Sequence, residues 1–173
     1  MYILRGKLFF ALVAVVAALL GVWTVYQSYI DSSPLGTDGR EVRLYFSNRE
    51  GTQVVGENRA LAGTITAEKI VRELIKGPEA PHLYPTLPPS TRLLSLLVQG
   101  RIAYVDFSRE VQDNFLGGTA AELMLVYSVI ASLTEMPDIA SVQFLLEGQV
   151  KESIWGHIDT SVPLTPDAQF IAR

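Results

Sequence analysis

The stretch from Ile102 to Gly148 constrains this chain more than any other, because it reads strand, loop, helix, strand. Ile102-Ala-Tyr-Val-Asp-Phe107 is a β-rich apolar run. After Gly117-Gly118, Thr119-Ala-Ala-Glu122 has the form of a capping box. In it Thr119 accepts from the N3 amide and Glu122 reaches back to the Thr119 amide. The predicted helix carries Leu123, Val126, Tyr127, Ile130 and Leu133 at helical spacing, a stripe wide enough to cover a sheet. Pro137 stops it, and Val142-Gln-Phe-Leu-Leu146 returns as a strand. A unit of this kind makes a right-handed crossover between strands of one sheet.

The flanking residues extend that core. Val42-Arg-Leu-Tyr-Phe46 alternates as a short strand, Ser47 to Glu57 reads as a polar loop, and a weaker strand is expected over Arg59 to Ile65. Thr66 caps a helix with Ala67, Ile70, Val71, Leu74 and Ile75 on one face. Its other face carries Glu68, Lys69, Arg72, Glu73 and Lys76, a solvated surface with Glu68–Arg72 and Lys69–Glu73 at i,i+4. Gly77-Pro78 ends it. Five prolines from Pro78 to Pro89 then make an extended surface crossover. Arg92 to Val98 and Arg101 to Phe107 form a hairpin over Gln99-Gly100. Gln149 to Ile158 is a candidate further strand, and Ser161 to Arg173 a tail draped along the domain or loose. The order predicts an α/β (α+β) two-layer sandwich, βαββαβ-like, with a mixed or antiparallel sheet of four to six strands and two helices on one face.

Ahead of this core, Leu8 to Tyr26 runs for 19 residues without a charge. As a helix it would be about 28 Å long, close to the ~30 Å of bilayer hydrocarbon. Arg5 and Lys7 precede it and no basic residue follows until Arg40, which places the N-terminus in the cytoplasm and the rest outside. A cleaved signal peptide is the competing reading, but residues 23–30 offer no Ala-x-Ala site. The expected organisation is a cytoplasmic stub and transmembrane anchor over residues 1–29, a linker over 30–41, one domain over 42–164 and a tail over 165–173. From Gln27 onward the chain carries 12 Lys and Arg against 18 Asp and Glu. That balance argues against nucleic acid as a partner. The absence of cysteine removes disulfides, thiolate metal sites and a lipid anchor on cysteine.

Candidate chemistry is sparse. His157-Ile-Asp159 sets an imidazole and a carboxylate on the same face of an expected strand, with Ser161 nearby. Three groups within five residues of one strand do not readily form a relay. Asp106, Glu110 and Asp113 offer a carboxylate pair, and glycosidases need two carboxyls roughly 5 to 9.5 Å apart. The same residues read equally as a strand end and turn. His82 has no metal spacing around it, and Gly117-Gly118 lacks the Lys-Ser/Thr of a phosphate loop. No catalytic, cofactor-binding or metal-ligating residue is assigned, and no cofactor is expected.

The blocks Glu73-Leu-Ile-Lys-Gly-Pro78, Leu87-Pro-Pro-Ser-Thr91, Tyr104-Val-Asp-Phe-Ser108, Ser132-Leu-Thr-Glu-Met-Pro137, Val142 to Gly148 and Gly156-His-Ile-Asp-Thr-Ser-Val-Pro-Leu164 occur in an order that resembles the GerMN domain family, known from sporulation and spore germination. The resemblance spans about Val42 to Leu164. It implies a small α/β domain similar to the ring-building motifs of secretion-type assemblies, held outside the membrane and not associated with catalysis. The expectation is therefore a single-pass membrane protein whose extracytoplasmic domain acts by binding or assembly. Its partners would be other envelope or membrane proteins, self-association included. The loop Ser47 to Glu57 and an exposed sheet edge are the candidate contact surfaces. The alternatives are an extracytoplasmic cell-wall hydrolase or a small-ligand sensor.

Overall fold

A computed structural model describes Gly21, Trp23 and residues 39–172. Apart from Gly21 and Trp23, the predicted membrane anchor, Leu8 to Tyr26, lies outside the described residues, as does most of the predicted linker. Gly21 and Trp23 are helical and exposed, and no helix of the described residues is long and apolar enough to cross a membrane.

Residues 40–173 form one compact unit. The elements run β1 (Gly39–Ser47), β2 (Val54–Ala62), α1 (Ala67–Lys76), β3 (Leu93–Gln99), β4 (Ile102–Phe107), α2 (Glu110–Asp113), α3 (Thr119–Thr134) and β5 (Ser141–Leu146). This is a mixed α/β fold with few helices. The strands fall into two sheets, β1-β2 and β3-β4-β5, where a single sheet of four to six strands was expected. β3 runs antiparallel to β4, and β4 parallel to β5 through the α3 crossover.

Several local expectations hold for the reasons given. The Thr66 side chain accepts from the Lys69 amide at 3.3 Å, and Gly77 closes α1 at φ 87°, where a side chain would be strained. The β3–β4 hairpin forms, but its two-residue turn is Gly100-Arg101, at φ 58° and 65°, one residue later than expected. Two successive positive φ values match the twist of the strands.

Other expectations fail instructively. The loop after β1 is short, because Val54 and Val55 start β2 early. Asn48 then ties the turn, its Oδ1 accepting from the Thr52 and Gln53 amides. Gly56 sits inside β2, where an added Cβ would lie 2.1 Å from Arg43 Nε, so its small size serves a close approach. Glu73, assigned to the solvated face of α1, is only 9% exposed and pairs with Arg59 and Lys76. Gln149 to Ile158 is irregular. Gly156 turns it at φ 108°, and side chains hold it: Trp155 Nε1 donates to Val111 O and Gln112 Nε2 to Ile154 O.

The largest departure is α3. No side chain caps it at Gly118, so the Thr119–Glu122 box does not form. Nor is the helix amphipathic: Met124, Leu125, Val126, Val129, Ile130, Ala131 and Leu133 are all buried. A helix apolar on every side belongs in an interior. Leu125, Val126, Val129, Ile130 and Leu133 share the main core with Ile70, Val71 and Leu74 of α1, the inner faces of β3, β4 and β5, and Leu44 and Phe46 of β1. Met124 and Ala131 join a second cluster with Tyr45 and Val54.

Candidate partner-binding surface

β3 stands at the end of its sheet, so one row of its main-chain groups meets no strand among the described residues. Edge strands are normally protected by charge or proline. Leu93-Leu-Ser-Leu-Leu-Val-Gln99 contains neither. Arg92 and Arg101 flank it, and Arg92 is engaged by Glu110 at 3.2 Å. Within β3 the side chains of Leu94 and Leu97 are 42% and 60% exposed. Leu97 lies opposite Tyr104 of β4, while Ala103 and Val105 face the core. A register shift between Leu93 and Ser95 twists the strand's start, as bulges do. The expected exposed sheet edge is therefore β3.

The second expected surface, the loop after β1, borders a cleft of about 480 Å³. Its other walls are Tyr84 to Pro89, Phe115, Leu116 and Met124. The proline-rich crossover is pinned there, since Ser47 and Tyr84 exchange backbone hydrogen bonds at 3.2 and 2.9 Å. Leu116, at the mouth, is 96% exposed. Among the exposed large apolar side chains it stands out as the most solvated.

The residues weighed for chemistry do not converge. Asp159 Oδ1 accepts from the Ser161 amide and hydroxyl at 2.9 and 2.6 Å, and those bonds hold its carboxyl below the usual range. It turns the chain locally and does not orient His157. The imidazole instead meets Glu122, Nδ1 to Oε2 at 2.7 Å. Asp106 Oδ1 accepts from the Gly148 amide at 2.8 Å, closing the turn after β5. The Ser108 hydroxyl, the backbone amide of Glu110 itself and Arg92 hold the Glu110 carboxyl below its ordinary value. Asp113 ends α2, and His82 is exposed in the proline-rich turn. Gly117-Gly118 lead into α3 without a phosphate-loop arrangement. Among the described residues, no three His, Asp or Glu side chains are grouped to hold a metal ion.

One polar centre went unforeseen. Arg59 is 6% exposed; its guanidinium reaches Glu57 at 2.5 Å, Glu73 at 3.3 Å and Glu79 at 3.5 Å, and donates to Gly77 O at 3.0 Å. Glu57 Oε2 in turn accepts from the Glu79 and Ala80 amides. The cluster clamps β2 to the end of α1 and fixes where the proline-rich segment begins. Glu57 and Arg59 at i,i+2 on one face of a strand were the available signal.

A family profile described as "Germane: Sporulation and spore germination" matches residues 43–152. No curated protein matches the chain. Among solved structures, a Clostridium perfringens protein designated a lipoprotein aligns at TM-score 0.55 and 26% identity, covering 73% of this chain and 87% of that one. The first GerMN domain of the sporulation protein GerM from Bacillus subtilis aligns at TM-score 0.58 and 22% identity, covering 78% and 98%. The tandem GerMN domains of the same protein align at 0.60 and 20%, covering 73% and 46%, so this chain corresponds to about half of the pair. The two GerM alignments establish the likeness of fold.

Proposed function

The chain belongs to the Germane family of sporulation and spore germination, and from that premise we propose that it is a membrane-anchored, extracytoplasmic binding module that works through β3 without catalysis. The observation that carries this reading is the uncharged edge strand Leu93–Gln99 with Leu94 and Leu97 turned to solvent. Such an edge recruits an extended partner strand through main-chain hydrogen bonds, with the flanking side chains giving selectivity. The structural hydrogen bonds that occupy Asp106, Glu110, Glu122 and Asp159 support a non-catalytic role. The apolar run Leu8 to Tyr26 supports anchoring, and the preceding Arg5 and Lys7 support an outward-facing domain. The relative designated a lipoprotein is a further reason to place the domain at a membrane surface.

Both parts of this reading are testable in cells that carry the chain. Because the sequence has no cysteine, a single cysteine at Lys151 reports topology cleanly. A membrane-impermeant maleimide should label it in intact cells, and labelling only after lysis would defeat the extracytoplasmic placement. A photo-crosslinking residue at Leu97 should trap one discrete envelope protein, whereas the same residue at His82 should not. Identical adduct patterns from the two positions would remove β3 as the contact.

A further inference from the structure

The second apolar cluster is built on the side of α3 away from the main core. Tyr45, Val54, Met124 and Ala131 form its floor, with Leu123 and Tyr127 at its margin, and Phe170 and Ile171 lie on it. The seat is specific. The Val54 amide donates to Phe170 O at 2.8 Å and Val54 O accepts from the Ala172 amide at 2.9 Å, a parallel bridge between Val54 and Ile171. The Phe170 ring stacks on Tyr127 with centroids 4.6 Å apart, and Gln53 Nε2 donates to Gln169 O. The approach to the seat is bare. Residues 165–169 are exposed, and the bonds at Asp167 are local ones, to the Gln169 and Phe170 amides. The family profile matches residues 43–152, and the segment lies beyond that match.

We propose that this groove is an acceptor site for an extended segment of another protein bearing an aromatic residue followed by an aliphatic one, and that residues 165–172 are a resident strap which the segment displaces. The contacts ask little of the occupant. Two main-chain hydrogen bonds to Val54 are available to any extended chain, and the side-chain requirement is an aromatic over Tyr127 with an aliphatic beside it. A strap held at its end alone opens at lower free energy than the sheets beneath it. Its occupancy reduces the affinity of an incoming segment by the fraction of time the groove is filled. A second copy of this chain is a poor occupant, because exchange of straps between copies gains only the contacts each copy gives up. This site is separate from the β3 edge and does not depend on that surface having a partner.

The test uses the full chain and a labelled synthetic peptide spanning residues 165–173. Fluorescence anisotropy compares the intact chain with F170A/I171A. The proposal expects the peptide to bind the double variant at least about tenfold more tightly than the intact chain, and expects a peptide with Ala in place of Phe170 not to bind. Equal affinity for both chains, or no binding to a variant that still unfolds cooperatively, overturns it. Should the variant not fold, hydrogen exchange on the intact chain decides. Exchange of the Val54 and Ala172 amides faster than those of Leu44 and Phe46 supports a strap that opens by itself, and exchange at one common rate overturns it. A concentration-dependent dimer of the intact chain that F170A/I171A abolishes would show strap exchange between copies and would also overturn the assignment.

Discussion

Glu122 has no exposed surface, yet its carboxylate is the anchor for His157, which is half-exposed on the loop that returns from β5. Three contacts converge there besides the imidazole: the His157 amide reaches both oxygens at 3.2 Å, and the Ile158 amide reaches Oε1 at 2.8 Å. The sequence pattern that suggested a helix cap is thus used at long range, to fasten a segment with no regular structure to the central helix.

Loss of the carboxylate should therefore cost more than loss of the ring. Glu122→Gln leaves two amides and an imidazole competing for one oxygen, and should lower stability by about 3 kcal/mol. His157→Ala keeps both amide bonds and should cost about 1 kcal/mol. Urea denaturation of the two variants checks this, and equal losses would mean that the amide bonds contribute nothing.

The Arg59 cluster should be intolerant of single changes. Arg59→Met leaves Glu57 buried without a cation and Glu73 with only the exposed Lys76, and should cost about 3 kcal/mol. Replacing both carboxylates by Gln in the same chain should recover a good part of that loss, since the residual charge is what destabilises. Thermal or chemical unfolding of the single and triple variants would show the recovery or its absence.

Alkaline stability should depend on Tyr45. Burial, and then the hydrogen bond its hydroxyl donates to Glu135 at 2.6 Å, push its phenol up from 10.0 to about 12. The folded state therefore holds a proton that the unfolded chain has released between those values. Stability is fully present below pH 10 and falls as pH rises from there through about 12. Tyr127, raised chiefly by burial, adds to the same decline. Tyr45→Phe should flatten the fall, as read from denaturation midpoints across that range. An unchanged slope would remove Tyr45 as its source.

On β3 the expected separation is between folding and binding. Leu97→Lys changes an exposed side chain and should leave stability within about 0.5 kcal/mol. It also places charge on an edge strand, which opposes pairing with another strand. The variant should keep its melting temperature and lose partner capture in cells, and unimpaired capture would point to another surface.

The hairpin turn offers a gain. Arg101 sits at φ 65° without being glycine, a conformation that costs an ordinary residue about 1–2 kcal/mol. Arg101→Gly should raise stability by roughly 0.5 to 1 kcal/mol, the remainder being offset by a more flexible unfolded chain. Destabilisation would show that the bond from its guanidinium to Pro137 O matters more than the backbone.

What could be read from the residues follows the range over which they act. Thr66 and Gly77 act within a few positions, and the crossover from β4 to β5 is built from segments that each carry their own local pattern, so all three were legible. The expected membrane anchor falls almost wholly on residues that the structure does not describe, so its reading rests on composition alone. Glu122 was misassigned because a capping box and a long-range anchor share one spelling; only the fold brings His157 within reach. Glu73 looked solvated for the same reason, its cation lying on a strand placed too late in the chain. The deep burial of α3 from Met124 to Leu133 was masked by Ser128 and Ser132. These read as polar positions, yet they are buried because they bond to Leu125 O and Ser128 O of their own helix. The β3 edge was expected in kind, but the strand could not be named until the sheet order was known.

The packing of α3 into both apolar clusters has a mechanical consequence. A rod packed on two faces, with only its first turn exposed and Leu123, Tyr127 and Thr134 partly wet, cannot slide or roll without opening packed layers on both of those faces at once. The two sheets that grip it are thereby kept at a fixed spacing. A load applied at β3 would pass to the far side of the molecule with little give.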